Sequence, residues 1–374
     1  MRYSVKKVLV GFLLVTGVVV ACKKDSADDG SNNGGEKFDR KSMLTNIGNN
    51  LIIPAYQKFY DAVLNFDSSV IAFNQNPDAN TLVTVQQNFK LAYGAWEFCD
   101  PYGFGPADQH YLGKSVNTFP TDVTQINANI SSGSYDLNAI LNMDAKGLPA
   151  FDYLLFGVGN ENETILVKYT TDADAAKRKQ YLTNLSADLK SKIAVVLSEW
   201  KGGYLQTFNN NTGTDIGSST SYLYNEFLKS YEAIKNYKFG IPLGRMSGQT
   251  AAYPDKVEAY YSGISSDLAN HHWKCIKNIW EGRGLNGVNG VGFQEYLLSV
   301  EGGDALNTQT VQQQGNVEAA YAGLPAGKLS DAITQQFDKV DAVHTELQKM
   351  TRFYKSDLSS LLGITITFSS GDGD

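Results

Sequence analysis

The chain has 374 residues, and its 39 acidic against 32 basic side chains give a formal net charge of −7. That balance argues against nucleic acid as a partner and against a body lying flat on anionic lipid, since both need a surplus of Lys and Arg. Only three cysteines occur, with no Cys-x-x-Cys pair, so zinc ribbons and thioredoxin-like redox chemistry are excluded.

In chain order, Arg2, Lys6 and Lys7 precede an almost wholly apolar run from Val8 to Ala21. A run of about 14 residues is too short for a bilayer core, which takes about 20, and has the size of a signal-peptide hydrophobic region. The run ends in Val19-Val20-Ala21-Cys22, which resembles the lipobox of bacterial lipoproteins. Residues 1–21 are therefore expected to be a leader, with Cys22 the lipidated residue and the membrane a partner through that anchor. The expected location is the cell envelope, periplasmic or on the outer-membrane surface. Residues 22–38, rich in Gly, Ser, Asn and Asp, read as a flexible tether.

Helical periodicity dominates the rest. Stripes run through Leu51, Tyr56, Phe59 and Val63, then Phe89, Leu91, Ala92 and Trp96. Others run through Tyr181, Leu185, Leu189 and Ile193, then Tyr222, Phe227, Tyr231, Ile234 and Tyr237. The last two join Leu268, His272, Cys275, Ile276 and Ile279, then Ile333, Phe337, Val340, His344 and Leu347. Residues 209–219 and the Gly-rich stretch 282–292 break the pattern. Ile364 to Phe368 alternates and reads as a short extended tail. The fold class is thus all-α, helix on helix. Residues 91–106 echo 228–242 around Phe-Gly and Pro, and Gly147…Tyr153-Leu154-Leu155 echoes Gly290…Tyr296-Leu297-Leu298. The order of these pairs reads as internal duplication, giving helical repeats over 39–175 and 176–374.

The same segments resemble the imelysin family of bacterial envelope proteins. The resemblance rests on NLIIPAYQKFYDAV (50–63), AWEFCDPYGFGP (95–106), KGLPAFDYLLFG (146–157), KFGIPLG (238–244), VEAYYSGISSDL (257–268) and the closing 361–374. It implies two bundle-like helical repeats and a role around iron uptake, with an envelope iron-uptake partner. The family signature GxHxxE here reads Gly147…Pro149…Asp152, so Pro149 stands where the family has His and Asp152 where it has Glu. The second copy, Gly292…Glu295, also lacks His. Proline offers no ligand atom, which weakens iron or another divalent metal as cofactor. Asp152 and Glu295 are expected to face each other and bind a cation, or else to cap helix starts, which the dipole argument favours. Glu258 and Ser262, in the segment 257–268, join them as candidate ligand-binding residues.

Asp267, His271 and Cys275 fall at i, i+4 and i+8 of one helix, types that suit a transition metal. Simple packing of His272 and Cys275, with a surface pair between His271 and Asp267, accounts for the same residues. Cys99 and Cys275 are left either bonded or as two buried thiols. Neither HExxH nor GxSxG nor a phosphate-binding loop occurs. No catalytic residues are assigned. The reading that follows is a non-enzymatic envelope lipoprotein binding a ligand or partner in iron or metal uptake. The alternatives are a metal-dependent peptidase and a glycan-binding lipoprotein of an outer-membrane uptake complex, the latter if exposed aromatics line a groove.

Overall fold

The structure, a computed structural model, describes residues 38–369. The leader, the lipidation residue Cys22 and the tether up to Lys37 lie outside the described residues. Phe38, placed at the end of the tether by the sequence, instead stacks on Tyr296 with ring centroids 4.5 Å apart. Among the described residues there is no β-strand, and no helix is long and apolar enough to cross a membrane. The C-terminal stretch expected to be extended pairs with no strand. Thr367 N–H donates to Asn225 Oδ1 at 2.7 Å, which docks the tail on a helix instead.

Seven long helices carry the fold: α1 (Ile53–Gln75), α2 (Ala79–Trp96), α3 (Ala175–Glu199), α4 (Ser219–Ala233), α5 (Ser265–Glu281), α6 (Gly303–Ala322) and α7 (Phe337–Thr351). Helix α2 starts where Asp78 accepts from Thr81 N–H at 2.9 Å while Thr81 Oγ1 accepts from Asp78 N–H, a reciprocal cap. Its apolar face buries Leu82, Val85, Phe89 and Ala92. Helix α1 packs along both α2 and α3. Four rings join this core, with Phe66 edge-on to Phe151 at 4.8 Å and Phe73 to Tyr169 at 4.9 Å. The later helices form a second group in which α6 packs on α7 and α4 on α5. The helix opening at Ala175 packs on α1. The described residues, 38–369, form one unit by contact.

Helix α4 does not stop at Ala233. It runs on as a π-helix, Ile234–Gly240, with an extra residue per turn. The stripe counted through Ile234 and Tyr237 therefore fails: Tyr237 is 52% exposed, while Lys235 and Lys238 turn inward and are buried. Leu91 and Tyr222, counted among apolar stripes, are exposed as well. Leu91 lies two residues from Phe89, about 200° around the helix and so on the far side.

The two groups meet where α2 ends. The short turn Asp100–Tyr102 packs against α4, and α5 packs against α2. The buried charges described next cluster at that junction.

Candidate functional site

A ladder of buried charges crosses the junction. Lys238 Nζ donates to Glu97 Oε2 and to Glu258 Oε2, each at 2.6 Å. Asn117 Nδ2 donates to the other Glu258 oxygen at 2.7 Å, and Tyr93 OH donates to Asn117 Oδ1 at 2.7 Å. His272 lies between two acids, with Nδ1 3.2 Å from Glu97 Oε2 and Nε2 3.1 Å from Asp100 Oδ2. Ser230 Oγ donates to Asp100 Oδ2 at 2.5 Å and sits 2.5 Å from His272 Nε2. Glu97, Lys238, Glu258 and His272 are buried. Glu97 Oε1 is buried with no hydrogen-bond partner.

Electrostatics follow from this order. Burial works against the charged form of Glu97, but Lys238 and His272 outweigh it and hold the carboxyl below its ordinary range. Burial and then the Glu97 carboxylate push Glu258 up to about 7, against the pull of Lys238 and Asn117. Burial also opposes the His272 imidazolium, yet Asp100 and Glu97 hold its pKa above the ordinary value. Lys238 thus offsets Glu97, His272 lies between Glu97 and Asp100, and Glu258 is the member whose titration is brought to about 7.

Above the ladder opens a cavity of about 510 Å³. Asp100, Ser230, Lys238 and His272 line its inner wall, and Tyr111 and Tyr237 stand at its sides. Tyr111 is 63% exposed and holds φ +51°, a left-handed conformation that a tyrosine adopts only when its surroundings impose it. Ala259, next to Glu258, holds φ +49°. Backbone strain of this kind collects at functional sites.

Of the residues expected from the sequence, Glu258 belongs to the ladder. Asp152 is buried and accepts from Tyr261 N–H at 2.8 Å and Ser262 N–H at 3.0 Å, clamping the turn that carries Glu258. Ser262 takes part through its backbone. Glu295 accepts from Gly292 N–H at 2.8 Å and caps its own helix, as the dipole argument favours. Asp152 and Glu295 share no hydrogen-bond partner among the described residues. Asp267, His271 and Cys275 are not gathered as a ligand set either. Asp267 borders a separate cavity with Lys328, the His271 ring lies against Phe98 at 5.8 Å, and Cys275 Sγ points inward to the Phe98 carbonyl at 3.4 Å. Among the described residues no three His, Cys, Asp or Glu side chains are placed to hold a metal ion. Cys99 and Cys275 are both free, buried thiols. Arg245, a loop residue, is engaged by Asp341 through two hydrogen bonds of 2.8 and 2.7 Å.

Asp152 yields a first prediction. Burial raises its pKa to about 6, against the donors at Tyr261 and Ser262. The folded value lies above the unfolded one, so this group's contribution to stability is complete below about pH 4 and lost as pH rises through about 6. The loss is on the order of 3 kcal/mol at about two pKa units. Urea unfolding of the wild type should show that decline between pH 4 and 7, and Asp152→Asn should show a decline smaller by about that amount, the remainder coming from groups such as Glu258 that titrate in the same range. An identical decline in both proteins would contradict the assignment.

Sequence reasoning missed Glu97, Asp100, Ser230 and Lys238. A signal was present: Glu97 lies between Trp96 and Phe98, and Lys238 between Tyr237 and Phe239. A charge flanked by aromatics at the end of an apolar helix is a candidate for burial with a partner.

Fold and junction together define an all-helical protein of two packed helix groups with a buried ionic seam beneath an open cavity. The family model described as Imelysin matches residues 52–352, and the chain belongs to the imelysin family. It is similar to iron-regulated protein A of Synechococcus elongatus, 22% identical over 66% of this chain. The chain spans 66% of that relative, just under two thirds of its length. Its fold matches the crystal structure of a protein described as an iron-regulated protein A precursor from Parabacteroides distasonis. There the TM-score is 0.72 and the identity 16%, over 88% of this chain and 97% of that one. An imelysin-like protein from Psychrobacter arcticum gives a TM-score of 0.68 and 17% identity with the same coverage.

Proposed function

We propose that this imelysin-family chain is a non-enzymatic binding protein for iron-related uptake at the cell envelope, held there by a lipid at Cys22. The cavity over Asp100, Ser230 and His272 carries the reading. Its volume of about 510 Å³ falls in the range that encloses small organic ligands. Of the acids lining it, Asp100 is bonded to His272 and Ser230, Glu226 to Lys229 and Glu232 to Lys355, so the wall offers a largely balanced polar surface with aromatic sides at Tyr111 and Tyr237 rather than a bare ligand set. That chemistry suits iron carried in an organic complex. Iron regulation named for two of the similar proteins, and the Val-Val-Ala-Cys segment, support the biological part of the reading.

Ser230, His272 and Glu97 stand in the order hydroxyl, imidazole, carboxylate used by nucleophilic hydrolases. Two features favour the binding reading over a hydrolytic one. The Ser230 proton already has Asp100 as acceptor, and the acids on both sides raise the His272 pKa against burial, which favours the form that cannot accept a proton. The glycan alternative asks for exposed aromatics lining a groove; Tyr111 and Tyr237 do stand beside this cavity, while rings such as Tyr56, Tyr93, Tyr224 and Tyr231 are core.

Equilibrium dialysis with ferric citrate and with haem tests the proposal. Ala233 lines the cavity, and Ala233→Trp should fill it and weaken binding at least tenfold while the fold persists. Binding of neither compound, or equal binding by the variant, would contradict it.

A further inference from the structure

Two residues beyond Lys238, a second group of donor atoms meets over the end of the π-helix. Gly240 has no side chain, and a methyl built there would lie 3.1 Å from Met246 Sδ and 3.5 Å from His344 Nε2. Both atoms therefore reach one small volume. They approach it from different elements, the loop after Ile241–Leu243 and helix α7. A cavity of about 210 Å³ opens at this point, lined by these two residues with Asn236, Arg245, Ser247 and Gln348. The loop is fixed: Met246 N–H donates to Gln249 Oε1 at 2.9 Å, and Gln249 Nε2 to the Ile241 carbonyl at 3.1 Å. His344 is half-buried, and neither ring nitrogen has a hydrogen-bond partner among the described residues.

We propose that Met246 and His344 form a binding site for a soft monovalent metal ion, copper(I) being the biological one. A thioether selects soft ions and rejects magnesium, calcium or manganese, while an imidazole accepts copper. Two-donor coordination by sulfur and nitrogen suits a d¹⁰ ion, which imposes no crowded geometry. The obvious objection is charge, because Arg245 lines the cavity and Lys235 also acts on the His344 ring. Asp341 answers it, binding the guanidinium through two hydrogen bonds and facing His344 from the same helix. Burial, only partly offset by Asp341, pushes the His344 ring down to about 4, so its nitrogens carry no excess proton at neutral pH. Gly240 keeps the space open, since any side chain there would enter it.

Silver(I), the redox-inert counterpart of copper(I), is the probe. In protein labelled at the methionine methyls, silver should move the Met246 signal to an endpoint at one equivalent. The core residues Met43 and Met350 should stay in place and report the fold. His344→Gln should weaken the effect at least tenfold. Gly240→Ala, whose helical backbone accepts alanine, should do the same by filling the space. A Met246 signal unmoved at saturating silver, or equal affinity in both variants, would overturn the site.

Discussion

Replacing Lys238 with Met is expected to destabilise the fold by about 3–5 kcal/mol, the usual cost of removing one partner from a buried ion pair. The physical reason is that Lys238 Nζ serves two carboxylates at once, each at 2.6 Å, and all three groups are shut away from water. Methionine matches the length of the chain but leaves Glu97 and Glu258 facing each other with His272 as the remaining cation. Glu97 already has one oxygen without a partner, so it has little further bonding to fall back on. The loss should grow with pH. Glu258, whose pKa burial and Glu97 raise to about 7, relieves the repulsion by taking a proton in acid and stops doing so in base. Unfolding of Lys238→Met should thus differ from wild type less at pH 5 than at pH 8. The double variant Lys238→Met with Glu258→Gln should recover part of the difference. Equal losses at both pH values, or a loss under 1 kcal/mol, would show that the ladder is not a mutually dependent unit.

Gly147→Ala is the second large effect, expected to exceed 4 kcal/mol or prevent folding, through strain and overpacking together. Gly147 holds φ +72°, where a side chain is strained. A Cβ there would also lie 2.3 Å from the Val116 carbonyl and 2.6 Å from that of Ser115, and backbone cannot swing aside. The glycine lets Gly147–Asp152 start against Leu112–Val116, and so positions Asp152 to clamp the turn bearing Glu258. Gly315 gives the contrast. It is exposed in the middle of α6 with nothing within 4 Å of a Cβ, so Gly315→Ala should stabilise by about 0.5–1 kcal/mol. Thermal unfolding of the two variants side by side should show opposite signs.

The helical class was legible because the apolar spacing of α1, α3 and α5 is regular over many turns, and local spacing is what a sequence displays. The π-helix at Ile234–Gly240 was not legible, because one extra residue in a turn leaves no mark in composition yet exchanges Tyr237 for Lys238 on the inner face. That exchange hid half of the ionic ladder. Gly147, Asp152, Glu258 and Ser262 were found through the family segments, and three of the four meet around one turn. Glu295 was grouped with them by the echo between the two halves, but its carboxylate serves its own helix. A carboxylate in a matching position carries no information about which N–H it will find. Asp267, His271 and Cys275 show the same limit from another side. Spacing places them along one edge of α5, but neighbouring helices decide that Cys275 turns toward Phe98 while Asp267 turns toward Lys328.

The central claim is that the cavity over the ionic seam holds the cargo. A crystal structure of protein saturated with whichever of ferric citrate or haem it binds addresses that most directly. Density is expected between Asp100, Ser230 and Tyr237, with the ladder from Glu97 to Glu258 unchanged beneath it. Density beside Asp267 and Lys328, or an empty seam cavity in fully loaded protein, would contradict it.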